Sequence, residues 1–452
     1  MTPETPQPAQ PQPYGEGEES RSIPVLPPPD RGLAASRFLF ACFIVEAVLW
    51  GFPMAYGVFQ SYYSQQAEFA GSPNVAVVGT VSTSIYFLGA PVATPLVRRF
   101  PRWRYRMVLL GTSLCILSLL GASFASSVSV LMAAQGVLYG LGFLIIYFPL
   151  LSMLNEWFIQ RRAFAYAIVY AGGGLSGIGL PFLFEWLLAR YGFRTTLRIF
   201  IIVQLVLLVP ILPLCRPRLP ASPQQLRTTT RCIDEFAFVQ RPLFWVLAVS
   251  NLAQSFAYYI PSLYLPSVAS SMGLSGTLGA LVLAALNLAT VFGQLSVGYL
   301  VDRLSNSKIF TLVVMTGMIS GVATFTLWGL ARSLAPLLVF SLVYGLSAGV
   351  YVVLWPRFGS MLADDPQLVF SWMAFGKGLG NICTAPIAEG LLRESKSSAS
   401  FRFGMFGPLV VYLGALMLVS SLGGLGYFLR QSRGENRKSP FGLFGRSRIS
   451  SS

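Results

Sequence analysis

Histidine is absent from all 452 residues of the chain, and only 11% of the residues are charged. The lack of histidine removes the commonest metal ligand and the usual general base near neutral pH. The five cysteines include no Cys-x-x-Cys pair, so they indicate neither a disulfide framework nor a zinc site. No P-loop signature is present to couple ATP hydrolysis. We therefore expect no cofactor, no metal and no enzymatic activity.

Long apolar runs dominate the chain, 54% of which is hydrophobic. Because lipid cannot satisfy backbone N–H and C=O groups, a segment of about 20 apolar residues crosses the ~30 Å hydrocarbon core as a helix. The sequence therefore predicts an all-α polytopic membrane protein with twelve transmembrane helices. The predicted spans lie near residues 38–61, 75–97, 107–125, 128–152, 163–187, 195–214, 243–265, 276–301, 309–331, 334–355, 368–391 and 407–429.

Basic residues set the predicted orientation. Of the 32 lysines and arginines, 24 fall on one side of the membrane, seven on the other and one inside a span. Since cytoplasmic loops carry the excess of positive charge, both termini are expected to be cytosolic. The stretch "LVRRFPRWRYR" (96–106) is then a short cytosolic loop that anchors the topology and attracts anionic lipid. Such a loop is too short to present a nucleic-acid-reading element, so we expect no nucleic-acid partner.

The remaining segments divide the chain. Residues 1–36 are rich in Pro, Gln and Glu without an apolar signal-peptide core, which predicts a disordered cytosolic tail. Two six-helix halves are predicted at 37–214 and 243–430, joined by a basic cytosolic linker at 215–242. Residues 431–452 form a second predicted disordered tail, rich in Ser, Arg and Lys.

An internal repeat supports this division. The segments "GAPVATPLVRRF" (89–100) and "GQLSVGYLVDRL" (293–304) align without a gap at an offset of 204 residues. They follow the second and the eighth predicted span, as a duplication of six spans would place them. One informative difference is that Arg98 stands where the second copy has Asp302.

The second copy, "GYLVDR", resembles the G-x-L-x-D-R signature of the major facilitator superfamily. That resemblance implies two six-helix pseudo-repeats that transport a solute by alternating access. It also implies a conformational latch between the halves, formed here by Gly293, Asp302, Arg303 and Arg99. Because Arg98 replaces the aspartate of the first copy, we expect the latch to work through the second half alone.

Three further stretches resemble the fungal branch of the monocarboxylate porter family: "GVFQSYY" (57–63), "EWFIQRRAFAYAIVYAGGGLSG" (156–177) and "LWPRFGSMLADDPQLVFSWMAFGKGLGN" (354–381). Animal members of that family carry an Asp and an Arg in the eighth span and a Lys in the first. The matching positions here are Thr290, Gln294 and a place near Met54. The resemblance therefore leaves the substrate open.

Two ionisable residues, Glu46 and Lys377, lie well inside predicted spans. Each costs roughly 2.5–3.5 kcal/mol at mid-depth unless it has a partner or a water-filled cavity. Both lie ~12–14 Å from the cytosolic ends of their spans, at 1.5 Å per residue. They either face a central cavity, where they bind substrate or a proton, or they pair structurally, or Glu46 reaches back to the membrane interface.

Uncharged polar residues complete the candidate binding site. The resemblance implies that the first, fourth, seventh and tenth spans line the cavity, and aromatic side chains there can stack on a large or planar substrate. The candidates on these spans are Tyr56, Gln60, Gln135, Tyr139, Tyr147, Asn251, Gln254, Tyr258, Tyr259 and Tyr351.

These features predict a monomeric secondary active transporter of a small organic solute, monocarboxylate-porter-like and proton-coupled, with an organic anion as its partner. The alternative is an exporter of a specialised metabolite, which the missing charge pair of the eighth span and the tyrosine-rich cavity spans favour by pointing to a larger or less charged solute. A non-transporting membrane sensor is a more remote alternative. We expect the plasma membrane as its location, with the vacuolar membrane as the alternative.

Overall fold

The computed structural model describes residues 26–66, 68–69, 75–219, 236–363, 365–397 and 406–429, and every regular element in these ranges is a helix. Twelve helices, which we label α1 to α12, are arranged as two halves of six, as predicted. They are α1 Leu33–Gln65, α2 Val75–Leu88 with Ala90–Arg99, α3 Pro101–Ala122, α4 Val128–Trp157, α5 and α6 as the two arms of Arg162–Leu208, α7 Pro242–Ser271, α8 Gly276–Val301, α9 Asn306–Trp328, α10 Leu334–Leu362, α11 Pro366–Ser397 and α12 Gly407–Leu429.

Length and composition alone identify nine membrane-crossing helices in the described ranges, or ten when the two parts of α2, which meet at 47°, count as one span. That count leaves out two of the twelve helices. The 47 residues of Arg162–Leu208 would extend ~70 Å as a straight helix, more than twice the ~30 Å core, so they contain two spans. The other is α11, which is long enough but less apolar and carries Lys377 in its middle.

The α5–α6 reversal occurs at Gly192, whose φ of 72° and ψ of 171° lie outside the helical region. A positive φ is accessible to glycine because it has no Cβ. The rings of Phe184 and Phe200, on either side of this glycine, lie 4.9 Å apart. Sixteen residues of straight helix would separate them by about 24 Å, so the chain folds back on itself here.

The duplication is visible in the helices themselves. α1 is interrupted at Ala55, between Leu33–Met54 and Tyr56–Gln65. α7 is interrupted at Tyr259, between Pro242–Tyr258 and Ile260–Ser271. The two breaks lie at the same offset of 204 residues as the repeated loop motif. The repeat therefore extends beyond the motif to the shape of the first helix of each half.

Small residues bring the helices into close contact. A Cβ added at Gly293 would lie 2.7 Å from the carbonyl oxygen of Leu346, so α8 and α10 touch through their backbones. Gly293 thus serves packing within the second half. Between the halves, α5 packs against α8 and α2 packs against α11. These two contacts form the surface across which the halves meet.

We call the end of the bundle that carries Arg98, Arg161 and Lys308 the basic end. The described end of the predicted N-terminal tail (1–36), from residue 26 on, docks there: the carboxylate of Asp30 accepts hydrogen bonds from the backbone N–H groups of residues 159, 160 and 161, at 2.9–3.1 Å. Helix α1 then begins at Leu33, earlier than predicted. Residues 1–25, most of the linker 215–242 and the C-terminal tail 431–452 lie outside the described residues.

Candidate functional site

A cavity of about 110 Å³ lies between the two halves. A single water needs only about 10–15 Å³ by the same kind of measure, so the cavity has room for a solute group. Eight of its 21 lining residues are aromatic, namely Trp50, Tyr86, Phe87, Tyr147, Tyr170, Tyr258, Tyr259 and Trp355. The polar lining residues are Glu46, Gln254, Asn287, Thr290, Gln294 and Lys377.

Lys377 is the cation of this cavity. Its side chain is buried, with 5% of its surface exposed. The Nζ atom lies 3.5 Å from the centre of the Tyr258 ring and 5.0 Å from that of Tyr259, and it donates to Oε1 of Gln254 at 3.4 Å. Cation–π contacts and one neutral acceptor stabilise the ammonium group, while no carboxylate in the described part of the chain forms an ion pair with it. An anionic ligand could supply that missing counter-charge.

Glu46 is the acid of the same cavity, and only 1% of its surface is exposed. Within the described residues, its Oε2 atom has no hydrogen-bond partner, and neither do the hydroxyl groups of Tyr147 and Tyr170. All three side chains line the cavity. Buried polar atoms normally have partners, so this cluster is suited to bind water, a proton or a polar group of a ligand.

Two glutamines are held by a break in α10. The helix is interrupted between Leu334–Ala348 and Tyr351–Leu362, which frees backbone carbonyl groups. Gln254 donates from Nε2 to the carbonyl oxygen of Ala348 at 3.1 Å, and Gln294 does the same to Gly349 at 3.1 Å. Each amide is thereby fixed at its nitrogen. The Oε1 atom of Gln294 is buried without a partner in the described structure and can accept a ligand hydrogen bond.

Trp355, on the second segment of α10, is oriented by a residue behind the cavity. Its Nε1 donates to Oδ1 of Asn251 at 2.9 Å, and the Asn251 amide donates to the carbonyl oxygen of Met373 at 2.8 Å. Asn251 itself is not a lining residue. It connects α7, α10 and α11 and positions the indole ring.

The predicted binding residues divide into two groups. Lys377, Glu46, Gln254 and Tyr258 line the cavity, as do Tyr147 and Tyr259. Their role in binding stays a prediction. The other predicted residues do not line it, and they are Tyr56, Gln60, Gln135, Tyr139, Asn251 and Tyr351.

Hydrogen bonds explain most of the second group. The hydroxyl of Tyr56 donates to the carbonyl oxygen of Val75 at 2.7 Å, and that of Tyr139 donates to the carbonyl oxygen of Leu49 at 2.8 Å. Gln135 donates to the hydroxyl of Tyr63 at 2.9 Å, and Tyr351 shares a hydrogen bond of 2.6 Å with Ser250. These polar groups are occupied in holding helices together. Gln60 is half-buried and lies away from the cavity.

The sequence-based choice of four lining spans missed residues on the other helices. Tyr86 lies on α2, Tyr170 on α5, and Asn287, Thr290 and Gln294 on α8. A signal for the α8 residues was present, since their spacing of three and four positions places them on one helical face. Thr290 and Gln294 are also the positions that the predicted resemblance aligns with the charged residues of the animal porters.

The two halves contribute chemically different walls. Four pairs of positions 204 residues apart have both members in the lining, namely Trp50 with Gln254, Met54 with Tyr258, Tyr86 with Thr290, and Gly173 with Lys377. In each pair the first half supplies an aromatic ring, the apolar side chain of Met54 or no side chain. The second half supplies a polar or charged group, so the duplicated framework has diverged at its centre.

Contacts between the halves lie at the basic end. The carboxylate of Asp302 accepts hydrogen bonds of 2.9 Å from the backbone N–H groups of both Ala163 and Phe164, in the first turn of α5. Burial raises the pKa of the Asp302 carboxyl above its ordinary value, although these two N–H groups act in the opposite direction. Asp302 lies eight residues, about 12 Å, from the cavity residue Gln294 along the helix.

The other predicted latch residues have different surroundings. The guanidinium carbon of Arg303 lies 3.5 Å from the centre of the Tyr299 ring, at the end of α8 in the same half, and Arg99 is exposed. Arg98, which stands in place of the latch aspartate of the first half, forms an ion pair with Asp365 of the second half, at 2.9 Å between Nε and Oδ2. The first half therefore also contacts the second half through the end of α2.

Comparison with known proteins identifies the family. The Major Facilitator Superfamily model matches residues 38–385. The MFS transporter asaE of Aspergillus flavus is 26% identical over 371 residues, which cover 81% of this chain and 82% of that protein. The Aspyridones efflux protein apdF of Emericella nidulans is 26% identical over 418 residues, covering 91% of this chain and 81% of the relative. The Agnestins efflux protein AgnL12 of Paecilomyces divaricatus is 25% identical over 390 residues, covering 85% of each.

Among solved structures, the proton:xylose symporter XylE bound to 6-bromo-6-deoxy-D-glucose matches with a TM-score of 0.63 over 88% of this chain and 95% of that chain. At 12% identity this likeness concerns the fold alone. None of the three relatives named above is called a monocarboxylate porter, so the resemblance to that branch stays a prediction. The superfamily resemblance is confirmed: the chain belongs to the Major Facilitator Superfamily of transporters.

Proposed function

We propose that this transporter exports a specialised metabolite by alternating access. The observation that carries the proposal is the aromatic lining of the cavity, in which eight of 21 residues have rings and five of these are tyrosines. A small monocarboxylate could contact few of these rings at once, whereas a large planar or conjugated solute could stack on several. Two of the relatives described above are named as efflux proteins, which supports the same interpretation.

Lys377 is the proposed recognition point for an acidic group of this metabolite. The ammonium group is buried between two tyrosine rings without an ion-pair partner in the described structure. A ligand carboxylate or enolate would compensate the cost of keeping that charge inside the membrane. The Oε1 atom of Gln294 would accept a hydrogen bond from a hydroxyl or N–H group of the same ligand. The proposed substrate is therefore an aromatic acid that also bears a hydrogen-bond donor.

The driving force for such export need not be a proton. Across a membrane that is negative inside, the potential drives an anion outward by about 2.3 kcal/mol per charge per 100 mV. In the predicted orientation, the basic end faces the cytosol. Release of the contacts around Asp302 and Arg98 would open the cavity to that side for loading, and their re-formation gives the conformation described here.

A second candidate function is proton-linked cotransport of an organic anion. It is favoured by one observation: Glu46 and Lys377 have opposite charges and line the same cavity. Protonation of Glu46 would leave the ammonium group of Lys377 as the net charge and so strengthen anion binding. Proton and anion would then cross together, with Glu46 as the proton carrier.

The two candidates can be separated in everted membrane vesicles from a host that lacks comparable transport. The probes are lactate, pyruvate, a hydroxylated aromatic acid and its methyl ester. Export predicts that a lumen-positive potential drives the aromatic acid into the vesicles and that Glu46→Gln leaves this uptake intact. Cotransport predicts flux that depends on a proton gradient and disappears in Glu46→Gln. Transport of lactate and pyruvate with exclusion of the aromatic acid would contradict the export proposal.

A further inference from the structure

The contacts at the basic end occupy equivalent positions in the two halves. Asp302 follows α8, and the position 204 residues earlier, in the last turn of α2, is Arg98. Asp365 precedes α11, and the position 204 residues earlier, before α5, is Arg161. Where α8 meets α5, the aspartate Asp302 lies at the end of α8 and the arginine Arg161 lies before α5. Where α2 meets α11, the two residue types are exchanged: the arginine Arg98 lies at the end of α2 and the aspartate Asp365 lies before α11.

We infer that Arg98 and Asp365 form a second clasp between the halves, which is the charge-reversed counterpart of the clasp made by Asp302, and that this pair helps to set the conformational equilibrium of the transporter. We call the Asp302 contact with α5 the first clasp and the Arg98–Asp365 contact the second clasp. This inference concerns how the halves close. It does not depend on the identity of the substrate or on the direction of transport.

Both clasps place a carboxylate at the start of a helix, but only in the first clasp does that carboxylate come from the half opposite the helix. In the first clasp, the Asp302 carboxylate comes from the second half and accepts the N–H groups of Ala163 and Phe164 at the start of α5. In the second clasp, the Asp365 carboxylate belongs to the segment before α11 and accepts the N–H of Gln367 at 2.9 Å. Gln367 is the equivalent of Ala163 at the same offset.

The position of the acid decides which residue the opposite half can supply. The N–H groups at a helix start attract one negative charge, and Asp365 already provides it at α11. The opposite half therefore contributes a guanidinium group, whose Nε lies 2.9 Å from the second oxygen of Asp365. An aspartate at position 98, as the repeated motif would have it, would face this carboxylate and repel it. The arginine at position 98 is thus matched to the aspartate at position 365.

Neighbouring contacts show that the second clasp lies on a closed surface between the halves. The side-chain amide of Gln367 donates to the carbonyl oxygen of Phe148, on α4, at 3.0 Å. The rings of Tyr166, on α5, and Phe370, on α11, lie 5.6 Å apart. The ion pair is partly exposed, with 24% of the Arg98 side chain and 32% of the Asp365 side chain accessible. Water can therefore enter and separate the pair when the halves part.

The test measures the opening of the basic end in the absence of substrate. Spin labels at positions 102 and 308, which are exposed in the first and second half respectively, report the distance across this end by pulsed EPR in liposomes. We expect Arg98→Asp and Asp365→Arg each to increase the population with the longer distance severalfold. The double variant carrying both changes should return to the wild-type distribution, because the exchanged carboxylate and guanidinium groups would pair again across the same interface.

Two controls separate charge pairing from general damage. Arg99→Asp changes the same charge at the exposed neighbouring position and should leave the distances as in the wild type. Asp302→Asn, in the first clasp, should open the basic end whether or not the Arg98 and Asp365 charges have been exchanged. The inference is overturned if Arg98→Asp leaves the distribution unchanged, or if the double variant is as open as the single variants.

Discussion

Lys377→Met should stabilise the protein while abolishing transport of an anionic substrate. Methionine keeps most of the length of the aliphatic chain and removes the charge. The ammonium group is buried, with 5% of the side chain exposed, and forms no ion pair in the described structure. A residue retained for stability alone would show the opposite result, so the two effects together are diagnostic of a site that serves a ligand.

The expected size follows from two opposing contributions. A charged side chain at mid-membrane depth costs roughly 2.5–3.5 kcal/mol. The cation–π contact with the Tyr258 ring, at 3.5 Å, offsets this. For a desolvated pair the contact contributes about 2 kcal/mol, and for a more hydrated one about 0.5–1 kcal/mol. Removal of the charge should therefore raise the free energy of unfolding by about 0.5–3 kcal/mol.

The assay is thermal unfolding of the purified protein, followed by tryptophan fluorescence, together with uptake of the hydroxylated aromatic acid into vesicles. We expect Lys377→Met to raise Tm and to remove uptake. Lys308→Met is the matched control, because Lys308 is exposed at the basic end, and it should change neither quantity. A lower Tm combined with normal uptake would refute the reasoning, since it would make Lys377 a structural residue outside the transport site.

Three further substitutions test the packing around the site. Gly298→Leu should block closure of the basic end and abolish transport without lowering the amount of protein, because even a Cβ there would lie 3.0 Å from the carbonyl oxygen of Ala163. Alkylation of a cysteine placed at the basic end measures the opening. Asn251→Leu removes two buried hydrogen bonds, one of them from Trp355, and should lower stability by about 1–3 kcal/mol in thermal unfolding. Tyr56→Phe should leave the apparent KM unchanged and lower Tm slightly, whereas a raised KM would return Tyr56 to the binding site.

The features predicted correctly from the sequence are those with a local physical signal. Apolar length predicts the spans, because each helix must cross the same hydrocarbon thickness. The cost of burying charge singles out Glu46 and Lys377, and both line the cavity. The repeat offset, first seen in two loops, also relates the breaks in α1 and α7. These inferences need no knowledge of how distant helices pack.

The remaining features depend on packing between distant segments. A tyrosine such as Tyr139 and one such as Tyr147 look equivalent along α4, yet the hydroxyl of the first binds a backbone carbonyl while the second lines the cavity. The partner of Arg98 could not be found from the sequence around it, because Asp365 precedes a helix of the other half. Tyr86 and Tyr170 were missed because the family resemblance places the cavity lining on other spans.

The divergence of Gly173 and Lys377 has a consequence for how a molecule would lie in the cavity. Two identical walls related by a pseudo-two-fold axis would present the same groups to either end of a ligand, which could then bind in two reversed orientations. Here the equivalent positions carry a hydrogen atom on one wall and an ammonium group on the other. An elongated molecule with one acidic end would therefore have a single preferred orientation, and its opposite end would face the aromatic wall of the first half.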